Sequence, residues 1–186
     1  ANIKQPTMKK NILILGAGRS SGALISYLLE IAASHNIEIW VADLNIELAK
    51  EKFHGHPAGT PFALNIMDKE QRQKLISQSF LVISMLPPAL HIEVARDCVI
   101  FGKCLITASY VSDEMQALDS EVSKKGLLFL CEMGLDPGID HMSAMAIIDR
   151  IHDDDNQIAS FKSYTGGLMS PESSDNPWHY KITWNP

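Results

Sequence analysis

The chain has 186 residues, of which 46% are hydrophobic and 20% charged, and its formal net charge is −6 at neutral pH. This composition is typical of a folded globular protein and excludes a disordered or collagen-like chain. The negative charge has the wrong sign for nonspecific binding to a phosphate backbone, and no apolar run is long enough to span a membrane. We therefore expect neither a nucleic acid nor a membrane as a partner.

The cysteine content indicates a reducing environment. Cys98, Cys104 and Cys131 are odd in number and include no C-x-x-C pair. This pattern argues against a zinc ribbon and against a disulfide framework. His54 and His56 supply two metal ligands at most, with no further ligand at a characteristic spacing. We therefore expect a cytoplasmic protein without a metal site.

The predicted elements alternate between strands and helices. Residues 11–15 form an apolar run without polar alternation, which predicts a strand buried on both faces. A glycine-rich loop follows at residues 16–22, and apolar side chains then recur at helical spacing from Leu24 to Ala32. Further strands are predicted at residues 37–41, 61–66, 80–84, 104–107 and 127–131, and helices at residues 46–53, 68–78, 90–101 and 112–125. This order predicts an α/β fold of the Rossmann type, a doubly wound parallel sheet with right-handed crossovers.

The character of the sequence changes after Asp136-Pro137-Gly138. A helix is predicted at residues 139–152 and a strand at residues 158–164, and a loop-rich stretch then runs to Pro186. We expect residues 8–134 to form a dinucleotide-binding domain and residues 135–186 to begin a second α/β domain whose remainder is absent. Residues 1–7 are then an N-terminal extension or a remnant of expression.

The loop after the first strand fits the G-x-G-x-x-G dinucleotide fingerprint at Gly16 and Gly18, with Ser21 in the third position. The first glycine permits the tight turn, and the second lets the backbone approach a pyrophosphate. The N–H groups at the start of the helix face that anion. The alternative is an ordinary glycine turn, but the order strand, loop, helix, strand favours a nucleotide site.

Asp43 stands just after the second predicted strand. An acidic residue there accepts hydrogen bonds from the ribose hydroxyls of the cofactor and repels a 2′-phosphate. The same residue type is also a common turn former, and Arg19 is a nearby cation that would favour the phosphate. These residues favour NAD as the cofactor and leave NADP open.

Four further stretches carry a resemblance to a known family. They are Val82-Ile83-Ser84-Met85-Leu86-Pro87, Thr107-Ala108-Ser109-Tyr110-Val111-Ser112, Gly134-Leu135-Asp136-Pro137-Gly138-Ile139-Asp140-His141, and Ser163-Tyr164-Thr165-Gly166-Gly167 with Pro171-Glu172-Ser173-Ser174-Asp175-Asn176-Pro177. Together with the glycine loop, they make nearly the whole chain resemble the glutamate-forming saccharopine dehydrogenases (saccharopine reductases). The resemblance implies an NAD(P)-dependent oxidoreductase of lysine metabolism, which interconverts saccharopine and water with glutamate and 2-aminoadipate 6-semialdehyde.

The resemblance also implies roles for individual residues. Asp136 and Tyr110 are expected to act in catalysis. The cofactor is expected to contact Gly16, Gly18, Arg19, Ser20, Ser21, Asp43, Leu44, Asn45, Asn65, Ile66, Leu86, Ser109, Leu135 and Pro137. The small-molecule substrate is expected to contact Ser109, Tyr110, Asp136, Ser174, Asp175, Asn176 and Trp184. Family members are often dimers, so a homodimer is one assembly that the chain could form.

Local structure offers a second interpretation of several of these residues. Asp136 followed by Pro137 is typical of a helix start, where aspartate caps free N–H groups and proline fills the first helical position. Tyr110 could equally be a ring that covers the end of the sheet. The stretch Ser174-Asp175-Asn176-Pro177 by itself predicts a turn. The core face of the last predicted helix is formed, by spacing, by Met142, Met145, Ile148 and Ile151.

The chain departs from the family pattern at two points. The fungal enzymes carry an arginine just past the second strand, as a partner for the 2′-phosphate, where this chain has Asp43-Leu44-Asn45. They carry a cysteine before the paired glycines, where this chain has Thr165. Two other functions stay open: an enzyme for another amino-dicarboxylate, such as carboxynorspermidine, and a non-catalytic NAD(H) sensor. The motifs after Gly134 favour an enzyme over a sensor.

Overall fold

The computed structural model describes residues 9–154, 156–164 and 169–181. Within these ranges, six strands form one sheet in the order β3-β2-β1-β4-β5-β6, and every neighbouring pair is parallel. The strands are β1 (Lys10–Leu15), β2 (Ile37–Asp43), β3 (Gly59–Ala63), β4 (Leu81–Ser84), β5 (Cys104–Thr107) and β6 (Phe129–Leu130). The strand order reverses direction between β1 and β4, as it does in doubly wound dinucleotide-binding folds. The predicted fold class is therefore confirmed.

Helices connect the strands and continue beyond the sheet. They are α1 (Gly22–His35), α2 (Ile46–Phe53), α3 (Lys69–Gln78), α4 (His91–Phe101), α5 (Asp113–Gln116), α6 (Asp119–Lys124) and α7 (Ile139–Asp153). Short 3-10 turns occupy Arg19–Ser21, Pro88–Leu90 and Pro171–Ser173. Among the described residues, no helix combines the length and the apolar character that a membrane crossing requires.

Two cores lie on opposite faces of the sheet, because successive side chains of a strand point to opposite sides. Ile12 and Ile14 of β1 pack in one core, to which α1 and α2 contribute. Leu13 and Leu15 pack in the other, to which α3 and α4 contribute. A strand between two such cores has no face for polar side chains, which explains its unbroken apolar run.

Several predicted elements have different bounds in the structure; the strand predicted at residues 127–131, for example, is found at Phe129–Leu130. The predicted strand at residues 61–66 is found at Gly59–Ala63, because Ala63 is the last residue that pairs with β2, opposite Asp43. Proline at position 61 is compatible with β3 because this strand pairs on one side only. The predicted helix at residues 112–125 is broken into α5 and α6, because the N–H of Leu118 donates to the carbonyl of Met115 and tightens the turn between them.

Two other predictions after the sheet are wrong for this chain. Residues 158–164 form no strand, since no described segment pairs with their backbone. The predicted core face of the last helix is not buried: Met142 and Met145 are half exposed, and α7 has no buried residue. The chain divides into two compact units, Ala1–Ala144 and Met145–Pro186, with the division inside α7.

A buried ion pair joins α3 to α4. The Nε of Arg72 lies 2.6 Å from Oδ2 of Asp97, and both side chains are 3% exposed. The Nη1 of Arg72 also donates to the carbonyl of Ile66 at 2.5 Å, and the amide of Gln73 donates to Oδ1 of Asp97 at 2.7 Å. Arg72 therefore fixes both the packing of the two helices and the loop that follows β3.

Replacing Arg72 by leucine should leave Asp97 as an unpaired buried charge. We expect the free energy of unfolding to fall by about 3–5 kcal/mol, measured by urea denaturation. Arg96→Leu is the matched control, because it removes an ion pair of 2.8 Å that is largely exposed, and it should cost less than about 1 kcal/mol. Asp97→Leu in the Arg72→Leu background should restore part of the stability; strictly additive losses would contradict this interpretation.

Candidate functional site

The glycine loop leaves the sheet at the carboxyl end of β1. Gly16 has a φ of +103°, and a Cβ placed on it would lie 3.0 Å from the carbonyl oxygen of Met85. Glycine is therefore required at this position by the turn and by the neighbouring chain. Gly18 differs, because its φ is −63° and a Cβ there would meet nothing within 4 Å. The space in front of Gly18 is open.

The Asp43 carboxylate joins the glycine loop to the end of β2. Its Oδ2 accepts a hydrogen bond from the N–H of Ala17 at 2.8 Å, and its Oδ1 accepts one from the N–H of Asn45 at 2.9 Å. Asn45 in turn caps α2 by accepting from the N–H of Glu47. The carboxylate is therefore held at the mouth of the loop, where a bound ribose would meet it.

A mainly apolar cavity of about 230 Å³ lies beside Asp43. It is bounded by residues at or after the carboxyl ends of β1, β2, β3 and β4: Leu15, Ala42, Asp43, Leu44, Leu64, Asn65, Ile66, Leu86 and Leu90. Five of these were predicted to contact the cofactor from the sequence: Asp43, Leu44, Asn65, Ile66 and Leu86. Flat apolar rings bind in concave sites of this kind.

Ser109 follows β5 and belongs to a hydrogen-bonded series that runs into the protein. Its Oγ lies 2.8 Å from Nε2 of His91, whose Nδ1 lies 2.8 Å from Oγ of Ser84. Ser84 and His91 are buried, whereas Ser109 is partly exposed. Burial lowers the pKa of His91, so its ring is neutral at physiological pH.

The segment after β6 brings Asp136 beside Tyr110. The N–H of Glu132 donates to the carbonyl of Ser109 at 3.0 Å, which continues the pairing along the end of β5. The chain then closes a tight loop in which the N–H of Gly134 donates to the carbonyl of Pro137 at 3.0 Å. At this loop, the Tyr110 hydroxyl donates to Oδ1 of Asp136 at 3.4 Å.

The close packing of that loop explains its glycines. Gly138 has a φ of +145°, and a Cβ there would collide with the Gly134 backbone. The peptide bond between Asp136 and Pro137 is cis. Since α7 begins only at Ile139, Asp136 is not its capping residue and Pro137 is not its first residue, so the helix-start interpretation is wrong.

Tyr110 and Asp136 are both exposed to solvent. The pKa of the Tyr110 hydroxyl is raised above its ordinary value by partial desolvation and then by the negative charge of Asp136. The hydroxyl therefore stays protonated at neutral pH and can donate. Oδ2 of Asp136 has no hydrogen-bond partner among residues 9–154, 156–164 and 169–181.

Asp136 also lies near two other possible metal ligands, Asp140 and His141. All three are exposed, and Nδ1 of His141 already pairs with Oδ1 of Asp140 at 2.8 Å. The Oδ1 of Asp140 accepts from the N–H of Gly138 as well. These contacts show that Asp140 and His141 already bind each other and the local backbone, so the three residues form a local polar cluster at the start of α7.

Other residues predicted for the site have different surroundings. Arg19 and Ser20 are exposed in the 3-10 turn beside Gly18, and Leu135 is exposed in the loop before α7. Ser174, Asp175 and Asn176 belong to the second unit and make local contacts with His179, Lys181 and Tyr180, respectively. The turn predicted at residues 174–177 is found two residues later, at residues 176–179, where the N–H of His179 donates to the carbonyl of Asn176. Trp184 and Thr165 lie outside the described residues.

Three observations indicate that the first unit can bind a dinucleotide. The loop is open at Gly18, so a phosphate group can approach its backbone. The cavity beside Asp43 has the apolar lining that an adenine ring requires. Ser109, Tyr110 and Asp136 form a polar group past β5, on the carboxyl side of the same sheet.

Two residues near this site were missed in the sequence. Neither His91 nor Arg72 was predicted as a site residue, although Arg72 donates to the Ile66 carbonyl at the edge of the cavity. Their hydrogen-bond partners are distant in sequence. The position of Ser84 at the end of β4 and of Ser109 after β5 was the one available signal that a polar side chain would lie between them.

Two family models together match most of the chain. Residues 12–130 match the saccharopine dehydrogenase NADP-binding domain, and residues 134–186 match the saccharopine dehydrogenase C-terminal domain. A solved structure of apo histidine-tagged saccharopine dehydrogenase (L-Glu forming) from Saccharomyces cerevisiae superposes with a TM-score of 0.74 at 34% identity. That comparison covers 94% of this chain and 38% of the yeast chain.

Full-length proteins from a plant and a fungus are also similar to this chain in sequence. The α-aminoadipic semialdehyde synthase of Arabidopsis thaliana is 38% identical over 97% of this chain and 18% of its own length. Saccharopine dehydrogenase [NADP(+), L-glutamate-forming] of Pyricularia oryzae is 36% identical over 95% of this chain and 38% of its own length. The chain thus spans less than two fifths of the length of these relatives.

Gly18→Val should separate ligand binding from folding. The substitution fits the backbone, so the free energy of unfolding should change by less than about 0.5 kcal/mol, whereas dinucleotide affinity, measured by calorimetry, should fall by about tenfold or more. Gly16→Ala is the contrasting variant: its strained φ should cost about 1–3 kcal/mol of stability. Normal dinucleotide affinity in the Gly18→Val protein would show that the loop does not hold the pyrophosphate.

Proposed function

The chain belongs to the saccharopine dehydrogenase family, and from that premise we propose that the complete protein interconverts saccharopine and water with L-glutamate and 2-aminoadipate 6-semialdehyde. The proposal rests on one observation above all. The Tyr110–Asp136 pair lies past the carboxyl end of β5, on the side of the sheet that carries the glycine loop and the cavity beside Asp43. Ligands of open parallel sheets bind at this edge.

A nicotinamide cofactor supplies the hydride acceptor when saccharopine is oxidised. Loss of hydride from the carbon beside the secondary amine requires the amine nitrogen to give up its proton as the imine forms. Asp136 is the base that we assign to that proton, because this residue is exposed and its Oδ2 has no hydrogen-bond partner among the described residues, while Oδ1 accepts from Tyr110. Water then adds to the imine carbon, and cleavage of the C–N bond releases glutamate and the aldehyde.

Tyr110 and Ser109 have supporting roles in this proposal. The Tyr110 hydroxyl remains protonated because its pKa is raised, so it orients the Asp136 carboxylate by donating to it. The Ser109 hydroxyl, beside them after β5, binds a carboxylate of the substrate. Ser174, Asp175, Asn176 and Trp184 are kept as substrate contacts supplied by the second domain, on the strength of the family resemblance.

We keep the domain division as part of this proposal, with residues 8–134 as the dinucleotide-binding domain and residues 135–186 as the beginning of the substrate domain. The matched family domains, which meet between residues 130 and 134, support it. We also keep a homodimer and a cytoplasmic location as proposals. The location is supported by the three free cysteines, whereas mammalian relatives are named mitochondrial.

The complete protein should reduce a nicotinamide dinucleotide in the presence of saccharopine and release glutamate. Asp136→Asn should lower kcat by about 100-fold or more, because it keeps an acceptor for Tyr110 but removes the base. Glu70→Gln changes an exposed carboxylate at the start of α3 and serves as the control with unchanged turnover. Turnover of carboxynorspermidine without turnover of saccharopine, or neither, would reject this substrate assignment.

We infer that the complete protein prefers NAD to NADP, because the negatively charged Asp43 lies where a ribose 2′-phosphate would bind. Asp43→Asn removes the charge and retains one oxygen acceptor, so one of the two backbone N–H groups that Asp43 holds keeps its hydrogen bond. The ratio of kcat/KM for NADP+ to that for NAD+ should therefore rise at least about fivefold, equivalent to ~1 kcal/mol of repulsion. The names of the fungal relatives specify NADP(+); an unchanged ratio, or a wild type that prefers NADP+, would overturn the inference.

A further inference from the structure

The ring of His91 occupies a buried position between two serine hydroxyls. It is the first residue of α4 and only 4% exposed. Nδ1 lies 2.8 Å from Oγ of Ser84 at the end of β4, and Nε2 lies 2.8 Å from Oγ of Ser109 after β5. The ring therefore connects a fully buried hydroxyl with a partly exposed one that follows β5, beside the crevice at the carboxyl ends of the strands.

The hydrogen bonds around His91 determine which of its ring nitrogens carries the proton. A buried hydroxyl must donate to an acceptor, and among the described residues the Oγ of Ser84 has His91 Nδ1 as its one partner. Ser84 therefore donates to Nδ1. Because the ring is neutral, its single proton lies on Nε2, and Nε2–H donates to the Oγ of Ser109.

The remaining groups of Ser109 leave its hydroxyl proton free. The backbone N–H of Ser109 donates to Oγ1 of Thr107 at 3.1 Å, and its carbonyl accepts from the N–H of Glu132 at 3.0 Å. With Nε2–H directed at its Oγ, the Ser109 hydroxyl cannot donate back to the ring. Its proton is therefore available to an acceptor in the crevice.

We propose that His91 is a positioning residue: held between Ser84 and Ser109, it turns the Ser109 hydroxyl into a fixed donor that selects a carboxylate of the substrate. The opposite tautomer would make Ser109 an acceptor facing the crevice, suited to an ammonium, and would leave the Ser84 proton without a partner. The tautomer does not depend on the proposed function, whereas the identity of the carboxylate ligand does.

Nitrogen NMR of the complete protein with isotope-labelled histidine tests the tautomer without any substrate. The His91 signals are assigned by their loss in His91→Gln. We expect Nδ1 to be unprotonated and Nε2 to carry the proton, both with and without saccharopine. A proton on Nδ1, or a doubly protonated ring at neutral pH, would overturn the proposal whatever the enzyme acts on.

Kinetics of matched variants test the consequence for the substrate. His91→Leu removes the donor to Ser109, so the KM for saccharopine should rise about tenfold or more. His91→Gln offers an amide oxygen to Ser84 and an amide N–H to Ser109, and should keep the KM within about threefold of the wild type. Equal KM values for the leucine and glutamine variants would contradict the proposal.

Ser109→Ala separates a positioning role from a structural one. In that background, His91→Leu should cause no further rise in the KM for saccharopine, because the hydroxyl that it orients is gone. A further rise would show that His91 acts through general packing and would reject the proposal. A protein that turns over no saccharopine at all refutes the proposed function instead, and the NMR result then decides the role of His91 alone.

Discussion

The parallel pairing of β1 with β2 and with β4 is the interaction on which the candidate site depends. The register sets Leu15 opposite Ala42 on one side and opposite Ser84 on the other, so the carboxyl ends of these three strands lie next to one another at the same edge of the sheet. The N–H of Gly16 still donates to the carbonyl of Ala42, and that of Met85 to the carbonyl of Leu15, each at 2.8 Å. Side chains from the loops that follow these strands are therefore close to one another in space.

The sequence was sufficient for elements that are determined by their own side chains. The strand at residues 11–15 and the helix at residues 46–53 were predicted closely, because burial on two faces and helical spacing are local patterns. The bounds of β3 were not, since its partner strand decides where an edge strand ends. Asp136 was open to misinterpretation as a cap for a similar reason: the backbone contact between Gly134 and Pro137 delays the start of α7.

The buried polar groups were the least predictable part of the site. His91 and Arg72 occupy helices whose apolar spacing is otherwise ordinary, and hydropathy alone assigns such residues to the surface. Their partners lie elsewhere: Ser109 is 18 residues from His91, and Asp97 is 25 residues from Arg72. A polar side chain is buried without a large penalty only when its hydrogen bonds are satisfied, and that satisfaction is a property of the assembled fold.

The same requirement makes one carboxylate serve two purposes at the mouth of the glycine loop. Asp43 holds the N–H of Ala17 through one oxygen and the N–H of Asn45 through the other. Its charge is proposed to discriminate between cofactors, while its oxygens as acceptors hold the loop in place. An amide loses the charge and keeps one acceptor oxygen, so Asp43→Asn removes the charge together with one of the two backbone hydrogen bonds. An exchange for arginine removes both at once, so a change of cofactor by that route also requires another acceptor for the Ala17 N–H.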